Sequence, residues 1–132
     1  MLDLQAILSK EQTIKTVVID LQSEEYFPGH GLQITMRVPP ADVLTKLSNK
    51  YFRAGFDDGE ISMRSDLLGY AVSLLKYAEE WEGFSGELDK DALEKFFKRF
   101  PAVGNAFARG CLEAFSDVQK REAEAALAEK KS

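Results

Sequence analysis

The sequence predicts an α+β fold, predominantly helical, in which an N-terminal β-hairpin is followed by about four α-helices. Three observations predict it. Residues 13–38 carry a β-branched segment and an alternating segment around a turn. Beyond residue 40 the apolar residues shift to helical spacing. Gly and Pro then cut that helical stretch into pieces.

The elements follow in order. In Thr13–Leu21, TIKTVVIDL, one face holds Ile14, Thr16 and Val18 and the other Val17, Ile19 and Leu21. In Leu32–Val38, Leu32, Ile34, Met36 and Val38 alternate with Gln33, Thr35 and Arg37, the pattern of a half-buried strand. SEEYFPGHG lies between them, with Pro28-Gly29 and Gly31 as turn residues, so the hairpin spans 13–38. Pro39-Pro40 ends the second strand, because proline cannot donate to a ladder.

Helical spacing then predicts a helix at about 41–53, with Val43 or Leu44, Leu47 and Tyr51 on one face, broken by Gly55 and Gly59. A second helix is expected over 66–81, apolar on two stripes and therefore central. Asp89 caps a third at 89–100, whose apolar face is Ala92, Leu93, Phe96, Phe97 and Phe100. Pro101 suits the first turn of a fourth at 102–118, with Phe107, Cys111, Phe115 and Val118 to bury. The remainder, 119–132, is helix-forming by propensity but offers little to bury, and is expected as a charged helical or frayed tail. Residues 1–118 are expected to form one globular domain, since 132 residues fit one core better than two.

Composition removes several function classes. Cys111 is the only cysteine, which excludes an intramolecular disulfide framework. No apolar run approaches the ~20 residues needed to cross a bilayer, and MLDLQAILSKEQ has no basic leader, so a cytosolic location is expected. Net charge is −5 and no basic stripe interleaves with aromatics, which argues against nucleic acid.

Chemistry finds little support. The only histidine, His30, stands in a Pro-Gly-His-Gly turn, and neither it nor Cys111 has a nucleophile motif around it. One His and one Cys cannot build a zinc set, and Asp57-Asp58-Gly59-Glu60 lacks the order of a calcium loop. No cofactor is expected. Contact surfaces are better represented. Trp81 sits within an acidic belt of Glu79, Glu80, Glu82, Glu87, Asp89, Asp91 and Glu94, which reads either as a solvated helix end or as a rim around a docking patch for a basic segment. Trp81 itself reads as core, as interface, or as both. Tyr26 and Phe27 in the hairpin loop either fold back onto the core or stay exposed for self-association. Phe56, in the first inter-helix loop, completes the candidate partner-binding residues.

Three stretches together resemble the tail assembly chaperones of long-tailed bacteriophages and prophages. MRVPPADV carries an extended stretch into a first helix, and LLKYAEEWEGF closes an aromatic-acidic stretch on a lone Trp. LEKFFKRFPAVGNAFARGCLEAF joins a short helix, a proline and a closing helix. The resemblance implies a non-enzymatic chaperone that binds the tape-measure protein and helps recruit tail-tube subunits. It also implies self-association, a place in the cytoplasm of the bacterial host, and absence from the mature virion. Many such proteins have a longer form made by ribosomal slippage. Glu129-Lys130-Lys131 can be encoded GAA-AAA-AAG, which contains the slippery heptamer A-AAA-AAG. The alternatives are a minor structural tail or head-tail connector protein, a host regulatory module, and a small cytosolic enzyme pairing His30 with Asp20 or Glu25.

Overall fold

The computed structural model describes residues 1–10, 12–57 and 60–128. It is an α+β, mostly helical fold with a three-stranded antiparallel sheet. Helix α1 (Leu4–Leu8) is followed by β1 (Thr16–Asp20), β2 (Gln33–Arg37) and α2 (Ala41–Tyr51). Next come β3 (Phe52–Asp57), β4 (Glu60–Ser65), α3 (Leu67–Leu74), a 3₁₀ turn at Leu75–Tyr77, and β5 (Ala78–Glu82). Helices α4 (Lys90–Arg99) and α5 (Pro101–Ala128) complete the chain.

The first hairpin forms where alternation places it. β1 and β2 pair antiparallel, with Val17 opposite Met36 and Ile19 opposite Ile34. Ile19, Ile34 and Met36 are buried on the inner face. Helices α3, α4 and α5 supply the other half of the core through Tyr70, Leu74, Leu93, Phe97, Phe107 and Cys111. α5 leans on the sheet so closely at Gly110 that an added Cβ would stand 2.9 Å from Ile19.

Two expectations for the middle of the chain are corrected. The expected helix at 66–81 stops at Leu74, and Ala78–Glu82 forms a strand that pairs antiparallel with β2, giving the order β1-β2-β5. AEEWE is good helical sequence by propensity, but β2 offers an open ladder there and Ile34 receives Trp81 as its register partner. Tertiary pairing overrides local preference. The expected helix at 41–53 ends at Tyr51, because Phe52 turns extended to pair with Ser65. The stretch read as a glycine-broken loop is thus largely a second hairpin, β3–β4, in register from Phe52↔Ser65 to Asp57↔Glu60.

The caps explain the remaining boundaries. Asp66 accepts the N–H of Gly69 at 2.8 Å and starts α3, and Asp89 accepts the N–H of Ala92 at 3.0 Å and starts α4. α5 does not end at Val118. It runs on to Ala128, so most of the expected tail continues this helix.

Candidate partner-binding surface

The chain between β1 and β2 is pinned by its own backbone. The Ser23 carbonyl accepts from the N–H groups of Tyr26 (3.0 Å) and Phe27 (2.7 Å), and the Glu24 carboxylate accepts from the N–H of Gly29 (2.8 Å). This turn separates the two aromatic neighbours. Phe27 folds back onto the core, whereas Tyr26 remains 50% exposed. The two neighbours thus part, Phe27 towards the core and Tyr26 towards solvent.

Phe27 opens a chain of aromatic contacts. Its ring centroid lies 5.4 Å from Phe96 and 5.2 Å from Phe100. Phe96 lies edge-on to Phe84 at 5.9 Å, and Phe84 stacks on Trp81 at 4.7 Å and 23°. All five rings are half-buried, so each has one side in the core and one towards solvent. The Trp81 indole N–H donates to the Gly86 carbonyl at 2.9 Å, which fixes the ring in the loop between β5 and α4. Trp81 is therefore neither wholly core nor wholly surface.

Two of the four sequence-predicted residues, Phe27 and Trp81, are joined in this ladder through Phe96 and Phe84. Tyr26 sits in the same loop with its ring exposed. Phe56 belongs to β3, and its side chain lies outside what the structure describes, as do residues Glu129, Lys130 and Lys131 altogether. Phe84, Phe96 and Phe100 were not singled out as partner-binding by sequence. Their signal was present in the apolar face of the third helix, but a helical face alone does not say which of its residues reach the rim.

The acidic belt divides into two parts. Asp89 caps α4, Asp91 occupies its first turn and Glu94 pairs with Lys98 at 3.9 Å. Those three have duties in the helix. Glu79, Glu80, Glu82 and Glu87 are exposed around β5, in sequence on either side of Trp81.

A second concavity lies on the far side of α5. It encloses about 670 Å³ between α1, the start of α2 and the last turns of α5, and Ile7, Leu44, Phe115, Val118 and Ala126 line it. Val118, Glu122 and Ala126 stand four residues apart and so share one helical face. The Glu122 carboxylate accepts from the N–H groups of Ile14 (2.8 Å) and Thr13 (2.9 Å) and from the Thr13 hydroxyl (3.1 Å). These bonds, led by the Ile14 N–H, hold its carboxyl below the usual range. The sequence reading gave 119–132 little to bury, because alanines at helical spacing look like propensity rather than packing.

The groups weighed for chemistry do not converge. His30 is exposed in its turn, and the Asp20 carboxylate accepts the N–H of Gln22 at 2.8 Å. Cys111 is fully buried, and burial pushes its thiol above the ordinary range. Burial, with a smaller contribution from Cys111, pushes the Tyr70 hydroxyl up to about 12. Among the described residues no group of three or more His, Cys, Asp or Glu is placed to hold a metal ion. No helix among them is long and apolar enough to cross a membrane. Comparison with known proteins finds no match to a family model, to a curated protein or to a solved structure.

Proposed function

We propose that the chain is a non-enzymatic chaperone of phage tail assembly, which binds the tape-measure protein and helps recruit tail-tube subunits. The observation that carries this reading is the half-buried aromatic ladder Phe27–Phe96–Phe84–Trp81, with exposed carboxylates adjoining Trp81 in sequence. Half-buried aromatics offer large contact area at small entropic cost, and the negative charge of β5 favours a client segment that carries Lys or Arg. Such a surface suits reversible masking of a long helical client. The resemblance in MRVPPADV, LLKYAEEWEGF and LEKFFKRFPAVGNAFARGCLEAF supplies the identity of that client. On this reading the chain acts in the host cytoplasm and is absent from the finished virion.

The test is co-expression with a tape-measure segment encoded next to the gene. The chain keeps that segment soluble and co-purifies with it. The Glu80→Lys, Glu82→Lys variant loses the client while its melting temperature stays unchanged. A segment that stays insoluble in the chain's presence removes the chaperone reading, and so does binding that ignores the charge reversal. The gene's 3′ end supplies a separate check: A-AAA-AAG at the codons of Glu129–Lys131 with an open −1 frame supports a longer slippage product, and other codons remove it.

A further inference from the structure

The apolar residues of α1 are spaced for one face and seated on another. Leu4, Ile7 and Leu8 stand at i, i+3 and i+4, the spacing of a single helical stripe. The residues that meet the body are Ala6 and Ile7, both half-buried, while Leu4 is 65% and Leu8 76% exposed. Ile7 lines the concavity of about 670 Å³ with Leu44, Phe115 and Val118, and Lys10 lines it too. A lysine thus borders an apolar cavity while two leucines one turn away face water, the reverse of the usual partition. Met1 and Leu2 add to the imbalance. Four of the eight large apolar residues exposed among the described ones fall in the first eight positions, on the segment whose Ile7 reaches the cavity.

The hydrogen bonds that cap α1 are its own. The Asp3 carboxylate accepts from the N–H of Ala6 at 3.2 Å, and the Ser9 hydroxyl donates to the Ala6 carbonyl at 3.0 Å. A helix capped from within turns as a unit without breaking those bonds. Its range is short, because Glu122 pins Thr13 and Ile14 to α5 and Leu8 lies five residues before Thr13, at most about 18 Å of chain. We propose that α1 is a strap with two seats. One is the open seat seen here. The other is a closed seat, reached by a roll of about a quarter turn, in which Leu4, Ile7 and Leu8 enter the concavity together. Its occupant is therefore this chain's own first helix. The α5 wall has room for the leucines, since its last turns line the cavity with Ala123, Ala125 and Ala126. Closed is the resting position in water, because it takes two leucines out of solvent. Open, the molecule presents a leucine face and an apolar cavity side by side, so the position of α1 decides whether this side can take an apolar segment of another chain. The strap does not depend on the client reading, which rests on the hairpin loop, β5 and α4.

Two measurements on the full chain test it. Leu4→Gln with Leu8→Gln lowers the melting temperature by about 5 °C. Gln is close to Leu in helix propensity, so the shift reports burial, and both residues would be in water if the open seat were the only one. Leu127→Gln, at an exposed leucine of α5 outside the cavity lining, is the control and leaves the midpoint unchanged. The seat itself is read by disulfide formation with Ala123→Cys on the cavity wall. The closed seat turns Leu8 towards α5 and Ala6 away from it, so Leu8→Cys bridges faster than Ala6→Cys under mild oxidant. Native Cys111 is fully buried and stays out of the exchange. A melting temperature unmoved by the double substitution overturns the strap, and so does faster bridging at Ala6→Cys than at Leu8→Cys.

Discussion

β1 and β5 form the two edges of one sheet, with β2 between them, and they meet the hazard of an open edge in opposite ways. β5 is irregular. Thr35 pairs with Glu80 and Met36 with Ala78, which leaves Glu79 as an extra residue, and glutamates occupy three of its five positions. A bulge and a row of like charges discourage a second strand of the same kind. β1 is regular, paired along its whole length on one side, and carries an exposed valine at its centre. The sheet thus keeps one edge for charged contacts and leaves the other ready for a strand.

The largest expected effect is at the strand both edges share. Ile34 is fully buried, with Ile19 opposite on one side and Trp81 on the other. Ile34→Ala removes buried methyl groups from the centre of the sheet and costs about 2–5 kcal/mol, measured by urea denaturation. Both edges should be lost together in one cooperative transition. If amide exchange shows β5 opening while β1 stays protected, the two edges are separate units and the comparison fails at its root.

The next effect belongs to the β5 side alone. Gly83 has φ +85°, and a Cβ placed there would stand 2.5 Å from the backbone carbonyl oxygen of His30. Both facts exclude a side chain, since the positive φ is strained for L-residues and the obstacle is backbone, which cannot swing aside. Gly83→Ala therefore costs about 1–3 kcal/mol. Its chemical-shift changes should centre on β5 and the turn around His30, with the β1–β2 register intact. Unchanged stability would mean that the close approach at the end of β5 is loose.

The same two edges show what the sequence could and could not reveal. β1 and β2 were legible because alternation and β-branching are local signals, and the α4 boundary because Asp89 is a local cap. β5 was not legible. Lys76–Glu82 has helical propensity and continues the apolar pattern of α3, and only the presence of β2 at the right distance makes it a strand. β3–β4 was hidden for a related reason: Gly55 and Gly59 read as breaks in a helix, and neither announces a strand. In the candidate surface, Phe27 and Trp81 could be named from their unusual positions. Phe84, Phe96 and Phe100 join them only through the fold, because residues from three separate elements converge there. The free edge of β1 lies furthest from the sequence, since exposure of Val18 depends on which side of the strand receives α5.

A smaller effect tests how the β5 edge is finished. Trp81→Phe keeps an aromatic ring to stack on Phe84 but removes the donor to the Gly86 carbonyl. One hydrogen bond of this kind contributes about 0.5–1.5 kcal/mol. The loss should appear in denaturation, and amide exchange should quicken around Gly86 but not in β1. If Trp81→Phe is as stable as the native chain, stacking alone holds the loop.

The smallest effect lies at the entry to β1, which is held by a group that titrates, whereas the exit of β5 is held by a neutral indole. Glu122 on α5 accepts both backbone N–H groups of Thr13 and Ile14, just before β1 begins. Those donors favour the charged carboxylate, so its pKa in the folded chain lies below the ordinary value of about 4.3. A depressed carboxylate contributes stability that is present above the unfolded pKa and is lost as pH falls through the folded one. Acid should therefore release the chain at Thr13 and Ile14 while leaving the Trp81–Gly86 bond in place. The amide resonances of Thr13 and Ile14 should titrate with a midpoint below that of free glutamate. The Trp81 indole resonance should stay flat over the same range, and Glu122→Gln should abolish the titration. The residue is only half-buried, so added salt weakens the clasp and moves the midpoint upward towards the ordinary value. A midpoint at or above that value in low salt would show that α5 does not grip the start of β1. The open edge would then be steadied by its pairing with β2 alone.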